Sequence, residues 1–246
     1  MFVPPRKVRA PRALGAMAIA ALIGGGTMTG AADADLIVFN DPSGLAAEAE
    51  FTLLNATTLE VRLRNISTGA PVGFDNSDQI LTGVSWSFSD PTVFITGGSV
   101  VIGDDSESVN FDTGYYGPGS DVSGEWGYGN GGTTNMFDHF FSCMQAGTTP
   151  FGGPNLDGPS SLNGPQGGLI ADPELIPVGG LGAIQDEVVA TLTLSGPVAN
   201  LAFLRDGVTA EFGSDAAFIT IPTPGAAALL VFGGISFLLR RRGAAA

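Results

Sequence analysis

Glu48-Ala49-Glu50-Phe51-Thr52-Leu53-Leu54-Asn55, a break at Ala56-Thr57, then Leu59-Glu60-Val61-Arg62-Leu63-Arg64-Asn65: the fold is decided in this stretch. Apolar and polar side chains alternate along its second half with period two, which turns one face to a core and the other to water. The short break joins the two halves as a hairpin. Outward from this pair, Val84-Ser85-Trp86-Ser87-Phe88 repeats the alternation with Trp86 and Phe88 inward. Thr92 to Thr96 and Ser99 to Ile102 are β-branched and punctuated by Gly97-Gly98 and Gly103. Glu187 to Leu194 and Ala199 to Leu204 read as two more strands around Gly196-Pro197. No helical period precedes residue 221. The expected body, residues 35–220, is all-β: a single jelly-roll-like β-sandwich with long Gly/Pro-rich loops.

Gly114 to Gly182 differs from both flanks. Glycine, proline and asparagine dominate it, as in Gly129-Asn130-Gly131-Gly132 and Gly152-Gly153-Pro154-Asn155. Aromatic anchors recur through it: Tyr115, Tyr116, Trp126, Tyr128, Phe137, Phe140, Phe141 and Phe151. A long connection anchored in this way is expected to pack as elaborated loops over the sandwich, not to hang as a linker.

The two ends read as export and membrane signals. Arg6, Lys7, Arg9 and Arg12 precede an apolar run of 11 residues, Ala13 to Ile23, and Ala32-Asp33-Ala34 offers an A-x-A cleavage site. Residues 1–34 are therefore expected to be a signal peptide. Ile221 to Leu239 is a 19-residue stretch that carries no charge and ends in Arg240, Arg241 and Arg242. Roughly 20 apolar residues cross a bilayer core, and arginines favour the cytoplasmic side. The expectation for residues 221–246 is a transmembrane helix entered through Pro222-Thr223-Pro224-Gly225, with an Arg-rich cytoplasmic stop.

Charge sharpens the picture once the ends are set aside. The chain has 10 cations and 24 acids, but only Arg62, Arg64 and Arg205 fall between Asp35 and Ile221, against 23 acids. A body near −20 with no lysine repels nucleic acid and attracts cationic or divalent partners. Cys143 is the one cysteine, so no internal disulfide supports an exported domain. The 187 residues from Asp35 to Ile221 are enough for one hydrophobic core to do so.

Signal peptide, extracellular body and Pro-x-Pro-Gly tail with terminal arginines together resemble the bacterial PEP-CTERM proteins. The residues that carry the likeness are Pro222-Thr223-Pro224-Gly225, Ala226 to Leu230, and Arg240 to Arg242, with Thr223 where the name-giving motif has glutamate. The resemblance implies export by the Sec machinery, cutting by signal peptidase after Ala34, and recognition of the tail by the membrane protease exosortase. It also implies a protein held in the membrane before processing, and then at the cell surface or outside the cell. Gly124-Glu125-Trp126-Gly127-Tyr128, Phe151 to Pro159, Asp78 to Val84 and Phe212-Gly213-Ser214 are similar to a subfamily of such exosortase-dependent surface proteins, and that likeness implies no particular chemistry.

Candidate sites are few. Gly127, Gly129 and Gly132 match G-x-G-x-x-G, but a dinucleotide site needs a helix to follow and more loop follows here. His139, the only histidine, and Cys143 lie among Phe137, Phe140, Phe141 and Met144, which reads as aromatic packing before it reads as a thiol–imidazole pair. No catalytic residues are assigned. Asp75 and Asp78, and Asp104, Asp105 and Glu107, place hard oxygen ligands in turns and are weak calcium candidates; no other cofactor is expected. Tyr115, Trp126 and Tyr128 are candidate contacts for a saccharide. Two functions follow: a structural or adhesive protein of the cell surface or extracellular matrix, or a carbohydrate-binding module, calcium-stabilised or not, associated with extracellular polysaccharide.

Overall fold

The computed structural model describes residues 33–67, 77–111, 114–131, 137–144, 156, 167–171, 182–213 and 217–221. The first 32 residues and the tail after Ile221, and with them the expected sorting motif and arginine stop, lie outside the described residues.

The described chain is all-β. Its strands in order are β1 (Asp33–Asn40), β2 (Ala46–Asn55), β3 (Thr58–Asn65), β4 (Leu81–Trp86), β5 (Ile95–Ile102) and β6 (Ser108–Val109). They continue as β7 (Gly127–Asn130), β8 (His139–Ser142), β9 (Leu169–Ile170), β10 (Ala183–Gln185), β11 (Glu187–Leu194), β12 (Val208–Phe212) and β13 (Ala217–Ile221). The only helices among the described residues are three short 3-10 segments. One sheet has the order β1-β2-β3-β11-β5; the other runs β13-β12-β4-β9-β10-β6, with β8 on β4 and β7 on β8. The meander β1-β2-β3 is a simpler order than the two Greek keys of a jelly roll.

The opening hairpin forms as the alternation dictates. Ala47, Ala49, Phe51 and Leu53 of β2 and Leu59, Val61 and Leu63 of β3 are buried. Asn55 shapes the turn, its Oδ1 accepting the Thr57 N–H at 3.0 Å. Val188, Ala190, Leu192 and Leu194 of β11 and Val100 and Ile102 of β5 extend the same inner face. From the second sheet, Val84, Trp86, Phe141, Leu169, Val208, Ala210 and Phe212 join one continuous core. Phe51 meets Trp86 edge-on across it, ring centroids 5.3 Å apart, the geometry the ring quadrupoles favour.

Four features differ from the sequence expectation. Strand β1 was not foreseen; it begins just before the predicted signal cut, so cleavage after Ala34 would fall within it. Thr92 to Ile102 yields one strand beginning at Ile95, and Gly97 and Gly98 lie inside it, not at its ends. Gly98 is needed there: a Cβ would run into the Thr191 carbonyl of the neighbouring strand. Residues Leu201–Asp206 form a 3-10 helix where a strand was expected. Asn200 starts it by accepting the Ala202 N–H at 2.9 Å, and Leu201 and Leu204, three apart, share its buried side.

The glycine-rich region is the fourth. Its described parts are not loops laid over a finished sandwich, because β7, β8 and β9 are strands of the second sheet itself. Glycine is what lets them fit. The Phe140 ring lies directly on Gly129, leaving no room for a side chain, and Gly127 and Gly129 of the formal G-x-G-x-x-G pattern both lie within strand β7.

Candidate functional site

Two regions of the body concentrate polar chemistry: the corner where the chain passes between the sheets, and the turn carrying Tyr115. At the corner, β10 belongs to the second sheet and β11 to the first, and Asp186 alone joins them. The switch needs a left-handed backbone, and Asp186 adopts it with φ 73°, a conformation that aspartate tolerates better than most residues. Neighbouring segments fix the bend: Asp186 N–H donates to the Ile170 carbonyl at 2.7 Å and Glu187 N–H to Ser106 Oγ at 3.1 Å.

Cross-strand register then brings charge together on the outer face of the first sheet. Glu48 is opposite Arg64, which is opposite Glu187, and Glu50 is opposite Arg62, which is opposite Val189. Arg62 donates to Glu187 Oε1 at 2.6 Å and Arg64 to Asp186 Oδ1 at 2.7 Å, while Glu50 and Glu48 stand at 3.7 and 3.9 Å from the same two arginines. Glu187 and Asp186 are nearly buried, the arginines partly so. Burial pushes the Glu187 carboxyl above its ordinary range, opposed by the charge of Arg62. Arg64 is held further above its already high value, first by its hydrogen bond to Asp186. Two of the three body arginines are thus committed to holding this corner. In chemical terms it is a network of two arginines and four carboxylates that pairs the two most buried of the four.

The predicted contact residues separate. Trp126 is fully buried and stacks on Phe141, centroids 4.5 Å apart, so it presents no platform to a saccharide. Its place directly before β7, facing the core, is what sequence pattern could not show. Tyr128 is half-buried against the same core. Tyr115 alone is open, with 70 % of its surface exposed, and its hydroxyl donates to Glu107 Oε2 at 2.8 Å. That bond raises the Tyr115 pKa.

Of the calcium candidates, Asp75 lies outside the described residues. Asp78, Asp104, Asp105 and Glu107 are described, and among the described residues no three His, Cys, Asp or Glu side chains converge as metal ligands. His139 and Cys143 are both buried at β8 and its end. The imidazole rests against Phe88 at 4.7 Å between centroids, with Nδ1 3.0 Å from Asn130 Oδ1. Burial lowers the His139 pKa despite Asp138 nearby. Burial, with Glu211 and Glu125 adding negative potential, pushes the Cys143 thiol well up, which keeps it protonated and weakly nucleophilic.

Sequence reasoning missed two surface features near the 3-10 helix Leu201–Asp206. One is a cavity of about 270 Å³ floored by Phe88, Val93, Val198 and Phe203. Its rim groups Asp90 and Asn200 are already used, by Thr92 and Ala202 respectively. The other, about 310 Å³, lies between Ala34 and Asp35 of β1 and the exposed Arg205. Compared with protein-family models, curated proteins and solved structures, the chain matches none.

Proposed function

We propose that this is an exported surface or extracellular-matrix protein with a structural or adhesive role, carried by an all-β sandwich and sorted by its tail, with no catalytic role assigned. The observation that carries the reading is where the last described strand ends. Strand β13 closes the second sheet and its last residue, Ile221, directly precedes Pro222-Thr223-Pro224-Gly225. A cut at that motif leaves every described strand in place. The reading keeps the division drawn from the sequence, signal 1–34, body 35–220 and sorting signal 221–246, with Sec, signal peptidase, exosortase and the membrane as successive partners. The continuous hydrophobic core, holding both tryptophans and the one cysteine, suits a domain that persists outside the cell without disulfides. Intact mass of the protein recovered from the producing cell's surface tests the sorting reading. Loss of residues 1–34 and of Arg240, Arg241 and Arg242 is expected, and a mass retaining the three arginines overturns it.

The carbohydrate-binding reading now rests on Tyr115 beside Glu107, with Tyr128 partly accessible and Trp126 withdrawn into the core. A glycan array probed with and without calcium decides it. Binding lost in Tyr115→Ala supports it, and a blank array under both conditions ends it.

A further inference from the structure

The cavity of about 270 Å³ lies between the turn that follows β4 and the segment that leads from β11 into the 3-10 helix Leu201–Asp206. Both of its walls are pinned. Asp90 Oδ1 accepts the Thr92 N–H at 2.9 Å and the Thr92 hydroxyl at 2.7 Å, and Val93 N–H closes the turn on the Asp90 carbonyl at 3.1 Å. On the other wall, Val198 N–H donates to the Ala56 carbonyl at 2.7 Å, and Asn200 caps the helix through the Ala202 N–H. The floor is held as well. Phe88 and Phe203 meet at 60° with centroids 5.0 Å apart, and Phe88 is braced by Trp86 at 6.1 Å and His139 at 4.7 Å. A cavity whose walls and floor are fixed by the fold needs little ordering when a ligand enters.

Its chemistry is one-sided. Phe88, Phe203, Val93 and Val198 offer apolar surface, and among the lining residues, all of them described, Asp90 is the one that carries a charge. Asp90 is exposed at the rim. Both Thr92 bonds fall on Oδ1, so the carboxylate is fixed in place and keeps capacity to accept more. The same bonds hold its pKa below the ordinary carboxylate value, which keeps it ionised near neutral pH.

We propose that this cavity binds a small organic cation: a primary amine on an apolar, ring-bearing body, the body seated on Phe88 and Phe203 between Val93 and Val198, and the ammonium at Asp90. Size bounds the ligand. At roughly the 30 Å³ that a water molecule occupies in the liquid, the cavity takes about nine non-hydrogen atoms, the size of phenethylamine. Charge selects the sign, because Asp90 and a body near −20 repel an anion of the same shape. The two rings add to the preference, since an aromatic face attracts an ammonium. His139 beside Phe88 has a lowered pKa, so it sets no positive charge against the ligand at pH 7. Arg205, on the same 3-10 helix, lines the other cavity, with Asp35. The site is independent of how the tail is processed and of whether Tyr115 meets a saccharide.

Nuclear magnetic resonance titration of the full chain in nonionic detergent tests it, with nitrogen-15 valine labelling so that Val93 and Val198 report from the two walls and Val189, on the first sheet, serves as the remote control. The probes are phenethylamine, 2-phenylethanol and phenylacetate, which share a ring and differ in charge. Phenethylamine is expected to shift Val93 and Val198 saturably, with a dissociation constant of about 1 mM or tighter, and to leave Val189 in place. The alcohol should bind about tenfold more weakly and the anion not measurably. Asp90→Asn keeps an oxygen for Thr92, and with it the turn. It should weaken phenethylamine about fivefold and leave the alcohol unchanged. Val198→Phe, which puts a ring into the cavity from a partly buried position, should abolish the Val93 shift with every probe while the other valine resonances keep their places. No saturable shift with phenethylamine, equal binding of the alcohol or the anion, undiminished binding by Asp90→Asn, or a folded Val198→Phe protein that still binds each overturns the proposal.

Discussion

Arg62→Ala should cost far more stability at neutral pH than in acid. Arg62 donates at 2.6 Å to Glu187, whose side chain is 8 % exposed, and is itself one-third exposed. A hydrogen bond to a charged group contributes about 1.5–3 kcal/mol, and leaving a buried charge without its partner adds to the loss. Because Arg62 is partly solvated, the lower part of that range applies, about 2 kcal/mol at pH 7. The sign with pH follows from Glu187. Its folded pKa already lies above the ordinary value of 4.5, chiefly through burial, so its protonation favours the fold. That contribution is complete below the unfolded carboxylate range and disappears as pH rises through the raised folded value. Removing Arg62 removes an influence that lowers this pKa, and the window moves upward. Urea denaturation followed by tryptophan fluorescence measures it well, because Trp86 and Trp126 are both fully buried. With a slope of about 2 kcal/mol/M, the midpoint should fall by about 1 M at pH 7 and by much less below pH 4. Adding Glu187→Gln to Arg62→Ala should recover most of the loss. Equal deficits at both pH values, or no rescue by the double variant, would refute the reasoning.

Two further outcomes test the core. Phe51→Ala, which empties the space beneath Trp86, should lower stability by about 3–5 kcal/mol, whereas Leu54→Ala on the exposed side of the same strand should stay within about 0.5 kcal/mol; calorimetry of both variants compares them directly. Cys143 should resist an aromatic disulfide reagent in the native protein at pH 8 and react stoichiometrically after denaturation, and rapid native labelling would contradict its burial.

Strand β3 was legible because its inward and outward residues differ in chemistry at every step, Leu59, Val61 and Leu63 against Glu60, Arg62 and Arg64, and β2 and β11 follow the same period more loosely. Trp86 inward followed from the same alternation and is met. Where both faces are covered, that signal vanishes. β8 (His139–Ser142) is buried at all four positions, and β12 buries Thr209 and Glu211 along with Val208, Ala210 and Phe212. A strand enclosed on both sides has no period to read. The 3-10 helix at Leu201–Asp206 was missed because Leu201 and Phe203 also fit period two; the Asn200 cap was the local sign that could have revealed it.

By itself the sequence determined the class of the body, the hairpin at its centre, the excess of acid and the isolation of Cys143, since these rest on composition and on one-residue periodicity. The tertiary structure alone decided that Trp126 is core and not a platform, that glycine-rich segments are strands under aromatic rings, and that Arg62 and Arg64 clamp Asp186 and Glu187 from 122 and more residues away. Those outcomes depend on which segments meet in space, and local alternation carries no information about a partner far along the chain.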